Sequence, residues 1–378
     1  MTLTHKKILF LVTEDWYFCS HRLPLAVAAR NAGYEVVIAT RVQKHGEKIK
    51  KAGLTLVPIS MRRRSKNPLR ELSSIFELVH LYRKERPDIV HHVALKPVVY
   101  GSIAAWMAKS PVTINAIAGL GFVFSSKSAI AKLLKPVMRV LFRLLLNGPR
   151  RYVIMQNPDD VGELVNAGVL QEDRVSLIRG AGVDLNQFPV SPEPNGLPKV
   201  MLASRMLWDK GVGVFVEAAK LLKKRGVSAS FVLVGGSDGD NPNAISQKQL
   251  KQWHQSGVVE WWGRCSDMPK VFEQVHIFCL PSSYGEGVPK VLIEAASSGR
   301  PIVTTDWPGC REVVKEGENG FLVTINNSAV LADALEKLID DKELRVTMGR
   351  KGRRIAENEF SVEKVIGQTL SLYQELLN

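Results

Sequence analysis

Two kinds of hydrophobic pattern alternate along the chain. Short apolar runs bounded by turn residues read as buried strands, and between them lie stretches whose apolar positions recur every three or four residues, the helical spacing. In the first half the strand-like runs are Lys7–Val12, Val36–Ala39, Leu54–Ile59, Asp88–His92, Val112–Asn115, Tyr152–Gln156 and Val175–Ile178. Helices are predicted over Ser20–Asn31, Pro68–Arg86, from Lys96-Pro97 through Ala108, over Lys127–Leu146, and after the capping sequence Asn157-Pro158-Asp159-Asp160. The second half repeats the alternation with strands at Lys199–Ala203, Phe231–Val234, Val258–Trp262, His276–Ser282 and Ile302–Thr304. It closes with helices Ser328–Ile339, Lys342–Asn358 and Ser361–Leu377. Strands that are apolar throughout and alternate with helices specify parallel sheets covered on both faces. A chain of 378 residues accommodates two such α/β domains. The expected division is a first domain over 1–188, a linker over 189–198 containing four prolines, and a second domain over 199–360. The last helix, 361–378, is expected to pack back on the first domain.

One loop and helix stand out as candidate chemistry. Tyr284-Gly285-Glu286-Gly287-Val288-Pro289-Lys290 follows a buried strand and leads into a helix that carries Glu294. If that helix starts at Gly287-Val288, their N–H groups are unpaired and form an anion site. Eight residues of helix rise about 12 Å. That is wider than the roughly 5–9.5 Å separating a glycosidase's two carboxyls. It suits two sugars joined through a diphosphate, a hexose near Glu286 and a ribose near Glu294. The plain alternative is one exposed and one capping glutamate. Arg205 and Lys210 straddle a predicted strand-to-helix turn and can neutralise one diphosphate, an Arg fork beside a Lys point charge. Alone, they would read as surface charge. Asp238-x-Asp240 has the form of a metal motif, but in a glycine turn after a strand it reads as a solvent-facing loop, and no metal is assigned.

Charge adds a partner. The net charge is +14, and all of it lies in the first half: residues 1–190 hold 28 Lys/Arg against 14 Asp/Glu, whereas 191–378 hold 23 of each. No acidic residue occurs between Asp88 and Asp159. Such a half-molecule implies an anionic partner. Nucleic acid is one reading, but the basic clusters lack interleaved stacking aromatics. A membrane surface is another. Lys132, Lys135, Arg139 and Arg143 share one face of the predicted helix over Lys127–Leu146, and leucines, valines, Met138 and Phe142 cover most of the rest. Pro136 kinks that helix or starts its second half. No apolar run is long enough to span a bilayer. Lys6-Lys7 and the run after it mimic a secretory signal, but the run is too short. Four scattered cysteines fit reduced thiols in a cytoplasmic protein. The loop Glu14–Arg22 lacks the glycines of a dinucleotide fingerprint, which argues against a nicotinamide or flavin cofactor.

The motifs together resemble the family 4 retaining glycosyltransferases. The resemblance rests on Glu286-x7-Glu294 with Gly287, Pro289 and Ala295, on Arg205-x4-Lys210-Gly211, and on Gly182-Val183-Asp184-x3-Phe188. It implies the GT-B fold class: α/β, two Rossmann-like domains facing across a cleft. His92-x3-Lys96-Pro97 followed by Gly119-Leu120-Gly121-x2-Phe124 is similar to a subgroup that transfers N-acetylhexosamines, notably N-acetylgalactosamine onto a bacillosamine-type sugar, on polyprenyl-diphosphate-linked glycans. The resemblance implies a UDP-sugar donor and a lipid-linked acceptor, without metal or cofactor, at the inner face of the cytoplasmic membrane. Arg205 and Lys210 would hold the diphosphate, assisted by Gly287, Val288 and Pro289. Glu294 would bind ribose, Glu286 would orient the donor sugar, and Gly263-Arg264 would meet the base. Retention of configuration comes from the resemblance alone. Relatives carry Gly-Gly in the first loop; here aromatics, His21 and Arg22 stand there. His21, Arg22, His92 and Lys96 are the acceptor-side candidates. The remaining alternatives are a nucleotide-sugar epimerase or hydrolase of the same architecture and a nucleic-acid-binding protein.

Overall fold

A computed structural model describes residues 6–63, 67–121, 129–239, 241–283 and 285–378, with side chains described for all of these except 129–132. Arg64, Ser65, Lys66, the Phe122–Phe124 part of the glycine motif, Lys127, the side chain of Lys132, Asp240 and Tyr284 lie outside the described residues.

The chain forms two compact units, Met1–Ala181 with Val362–Asn378, and Gly182–Ser361. In the first, strands β1 (Lys7–Glu14), β2 (Glu35–Arg41), β3 (Thr55–Pro58), β4 (Ile89–Val93), β5 (Val112–Ile117), β6 (Arg151–Met155) and β7 (Val175–Leu177) form one sheet. Their order is β3-β2-β1-β4-β5-β6-β7, and every neighbouring pair is parallel. In the second unit, β8 (Lys199–Ala203), β9 (Ser230–Val234), β10 (Glu260–Gly263), β11 (Ile277–Leu280), β12 (Ile302–Thr305) and β13 (Gly320–Val323) are ordered β10-β9-β8-β11-β12-β13, again all parallel. β4, β5 and β11 are buried along their whole length, which is why they read as unbroken runs rather than alternating ones. Each sheet reverses direction of growth once, between β1 and β4 and between β8 and β11. At such a switch point the flanking loops part and leave a crevice at the carboxyl ends of the strands.

Three expectations need correction. The stretch after β1 is not a loop: Asp15–His21 is helical, Arg22 breaks the path, and Leu23–Asn31 continues as a second helix. The helix carrying Glu294 spans Lys290–Ser297 with Pro289 as its N-cap, so Gly287 and Val288 precede it. Only the steps from Lys290 to Glu294 are helical, and the helical rise accounts for about 6 Å of the separation. Finally, the units divide at Ala181/Gly182 rather than after Phe188.

The reason for the last is that 182–193 is strapped to the second unit. Val183 and Phe188 belong to its apolar core, and Val183 donates its N–H to Phe360 O at 2.9 Å. Arg353 donates to Phe188 O (2.9 Å) and Ser297 O (3.0 Å). Arg300, 1% exposed, donates to Phe272 O (3.0 Å), Ser191 Oγ (2.6 Å) and Pro192 O (3.2 Å). Arg345 forks onto Glu193 at 2.8 and 3.1 Å. The proline-rich segment is therefore a fitted strap. The last helix, Val362–Leu377, buries Val365, Leu372 and Tyr373 in the core of the first unit.

Candidate active site

The loops that leave β8 and β11 meet because those strands are neighbours at the switch point of the second sheet. Gly211 ends the β8 loop at φ +73°, and a Cβ there would run into the Pro281 carbonyl oxygen. Only glycine serves both demands, a left-handed backbone and a close approach. The Asp209 carbonyl accepts from Ser283 N–H at 2.9 Å and from Ser282 Oγ at 3.2 Å, which locks the loops together. On that base Lys210 Nζ forms an ion pair with Glu286 Oε1, both side chains largely sheltered. The loop after β12 completes the wall. Gly309, in the first turn of the helix Pro308–Val313, lies so close to the Gly287 carbonyl that a Cβ would collide with it. Thr304 Oγ1 donates to Leu280 O at 2.7 Å and Thr305 Oγ1 to Ser282 O at 2.5 Å, fixing β12 beside the same turn.

Arg205 leaves the same β8 loop but faces the other neighbour, β9. Its guanidinium pairs with Asp238 Oδ2 at 3.0 Å. Asp238 is thus the counter-charge of Arg205, a role the Asp-x-Asp pattern did not suggest. Gly263 ends β10, the edge strand, exposed Arg264 follows it, and Gly263 O accepts from Gly235 N–H at 2.7 Å. Glu294 is buried and paired with Lys290 at 3.2 Å. Burial pushes its carboxyl pKa up, and the Lys290 charge opposes that rise. Of the second-unit residues predicted from sequence, the structure joins Lys210 with Glu286, and the next residue, Gly287, lies against Gly309. Arg205 and Glu294 each have a counter-charge of their own.

The acceptor-side candidates fare differently. His92 is fully buried: its Nδ1 lies 2.8 Å from Asn115 Oδ1 and its Nε2 3.0 Å from Tyr82 OH. Gly101 packs against the ring so closely that any Cβ would overlap it. His92 is a core residue and is withdrawn as a ligand-binding candidate. Arg22 is also withdrawn, because it is 5% exposed, between the two helices and close enough to His91 and Tyr373 to shift their titration. His21 stacks on Tyr17 at 4.1 Å between ring centroids and is half-buried. Lys96 pairs with Glu71 at 2.6 Å and donates to Arg62 O at 2.7 Å, tying the helix Leu95–Ala108 to the helix Pro68–Glu85. At the switch point of this first sheet stands a residue the sequence reading passed over. Asp15, fully buried at the end of β1, accepts from the N–H groups of Gln43 (2.7 Å), Lys44 (2.9 Å) and His45 (2.8 Å). Burial alone would raise its pKa, and those donors outweigh it and hold the carboxyl below its usual value. An acidic pair directly after a buried strand was the available signal.

Comparison with known proteins brings the two units under one heading. The family described as glycosyl transferases group 1 matches residues 184–355, and that described as glycosyl transferase 4-like matches residues 7–157. The chain is a glycosyltransferase. Among curated relatives of this transferase, the N,N'-diacetylbacillosaminyl-diphospho-undecaprenol alpha-1,3-N-acetylgalactosaminyltransferase of Campylobacter jejuni is 28% identical over 369 residues, 94% of this chain and 95% of that one. The UDP-Gal:alpha-D-GlcNAc-diphosphoundecaprenol alpha-1,3-galactosyltransferase of Escherichia coli is 26% identical, covering 82% of this chain and 81% of that one. The transferase superimposes with a TM-score of 0.77 on the Anabaena protein HepE, solved with UDP and glucose, at 20% identity over 98% of this chain and 100% of that one. The fold is that of the GT-B glycosyltransferases: two α/β units, each with a parallel sheet.

In the transferase, the sheltered Lys210–Glu286 pair sets a cation and a carboxylate side by side at a strand-end crevice. A diphosphate can take the cation, and the carboxylate is then free to accept from sugar hydroxyls or to stabilise positive charge.

Proposed function

We propose that this glycosyltransferase moves an N-acetylhexosamine from a UDP donor onto a saccharide carried by a polyprenyl diphosphate, in the assembly of a bacterial surface polysaccharide or glycoprotein glycan. The observation that carries the reading is the meeting of Lys210 and Glu286 at the switch point between β8 and β11. The names of the Campylobacter and Escherichia relatives support the acceptor class and the donor class.

In this reading the donor diphosphate displaces Glu286 from Lys210 and draws Arg205 from Asp238, so two cations stabilise the leaving group. The start of the helix Lys290–Ser297 adds a favourable dipole. Glu286, freed, orients the donor sugar beside its anomeric carbon. Glu294 takes the ribose hydroxyls, with Lys290 keeping it ionised in its buried position. Gly263 and Arg264, next to the glycine turn after β9, take the base. The reaction retains configuration, and a donor phosphate oxygen receives the acceptor's proton. It needs no metal and no cofactor. His21 and Lys96 stay as acceptor contacts of the first unit.

The same reading places the protein on the cytoplasmic face of a membrane. Leu133, Val137, Val140 and Leu144 form a stripe at helical spacing along Ala129–Leu146, between 60% and 75% exposed. The opposite side of that helix packs Phe142 and Leu146 into the core. The basic residues are less available than their spacing suggested, since Lys135 pairs with Glu163 at 2.6 Å. An apolar stripe flanked by cations lies in a bilayer interface rather than across it. Among the described residues no helix is long and apolar enough to cross a membrane.

The test is transfer from a panel of UDP-sugars to a short-chain polyprenyl-diphosphate saccharide, with the new anomeric proton read by NMR. Product with the donor's configuration is expected from a UDP-N-acetylhexosamine. Donor consumed equally fast without acceptor would replace the reading with an epimerase or hydrolase.

A further inference from the structure

The end of the first sheet remote from its switch point carries a basic concavity of about 630 Å³. It forms at the amino-terminal ends of β5 and β6, where Trp106 and Met107 close the helix Leu95–Ala108. Arg83, Lys109, Arg150 and Arg151 line it, and none of its lining residues is acidic. Two of these cations are anchored. Arg83 donates to Met107 O at 3.2 Å, and Arg151 donates to Leu144 O (2.8 Å) and Leu145 O (3.3 Å). The other two, Lys109 and Arg150, are exposed and both hold left-handed backbones, φ 56° and 59°. Glycine is the usual occupant of such a position. Long cations there place two charges at the mouth that the turns themselves do not require. Trp106 stands at the same mouth, 68% exposed. The segment offers no internal neutralisation, because no Asp or Glu occurs between Asp88 and Asp159.

The pocket is continuous with the apolar stripe. Arg151 holds the last turn of the helix Ala129–Leu146, and exposed Leu144 lies on that turn. We propose that this pocket takes the phosphate-bearing headgroup of an anionic lipid, with Trp106 at the interface, and so orients the enzyme on its membrane. Arginine forks match phosphate, basic residues at a bilayer surface draw anionic lipid, and tryptophan favours the headgroup level. The inference rests on the peripheral-membrane reading above and adds to it a discrete headgroup site.

The experiment compares the wild type with the double variant Lys109→Gly/Arg150→Gly, since glycine suits both backbones. Both are sedimented with vesicles of phosphatidylcholine alone and of phosphatidylcholine mixed with phosphatidylglycerol. The variant should bind the mixed vesicles about 30-fold more weakly, matching the wild type on phosphatidylcholine alone and in its thermal shift with UDP. Unchanged binding to the mixed vesicles would overturn the site. If the wild type sediments with neither vesicle, the membrane reading fails, and soluble short-chain phosphatidylglycerol decides the pocket. A saturable thermal shift lost in the variant upholds it; no shift, or an equal shift with inorganic phosphate, overturns the headgroup assignment.

Discussion

The two units share a topology, and their switch points use it in opposite ways. In the second, Lys210 and Glu286 come from adjacent strand ends and face each other in a sheltered pair that an anion can open. In the first, the corresponding polar groups are consumed by the fold. Asp15 Oδ2 is held by three backbone donors, and His92 is enclosed by Tyr82, Asn115 and Gly101. Lys96 clamps two helices through Glu71. A parallel-sheet unit thus supplies a place for chemistry, but whether charge there is catalytic or structural depends on what the surrounding loops leave unsatisfied.

The sharpest way to break that contrast is to remove one charge from each side. Glu286→Ala should lower transfer by about 1,000-fold, the loss expected of a group that stabilises a developing charge, while thermal unfolding stays close to wild type. Retention of most activity would put Glu286 outside the reaction. For the first unit the expected signature is stability. Burial depresses the His92 imidazole to about 4, with the Asn115 hydrogen bond opposing. The unfolded chain takes up a proton near pH 6.5 that the folded one refuses. Stability should therefore be full above that pH and fall by about 3 kcal/mol as pH drops toward 4. Urea unfolding of the first unit across this range checks it, and a His92→Gln variant should show a flatter profile.

Smaller effects sharpen the comparison further. Gly309→Ala drives a methyl into the Gly287 carbonyl and should weaken UDP binding about 10-fold by calorimetry, through displacement of the Glu286 loop. Lys96→Met should cost no more than about 1 kcal/mol of thermal stability, the scale of a partly exposed ion pair. A loss of acceptor binding greater than that would show Lys96 serving the acceptor as well as the clamp, and no loss would remove it from the site.

Much of the donor side was legible beforehand because its signals are local. A strand, a glycine-bearing turn and a helix place Arg205, Lys210 and Glu286 on strand-end loops, and Glu294 on the helix that follows, whatever the rest of the chain does. The acceptor side was legible only as residue types. Arg22 and His92 read as ligands because nothing near them in sequence covers them. His92 is covered by Tyr82, Gly101 and Asn115, which come together only when two helices pack on β4 and β5. The helix beside Arg22, Val362–Leu377, arrives more than 300 residues later and brings Tyr373 to 2.5 Å from His91 Nδ1. The proline-rich segment read as a linker for the same reason, its partners Arg300, Arg345 and Arg353 lying more than 100 residues away.

Hydrophobic spacing alone therefore determined most of the strands and helices, though not the helix Asp15–His21, together with the two parallel α/β units and the loops that bear the charged motifs, because strand and helix periods are written over a few consecutive residues. Tertiary structure alone decided which distant charges pair: Lys210 with Glu286 and Arg205 with Asp238. It also decided which polar residues disappear into the core. Both depend on strand order and on distant segments folding over, and neither leaves a trace in local pattern.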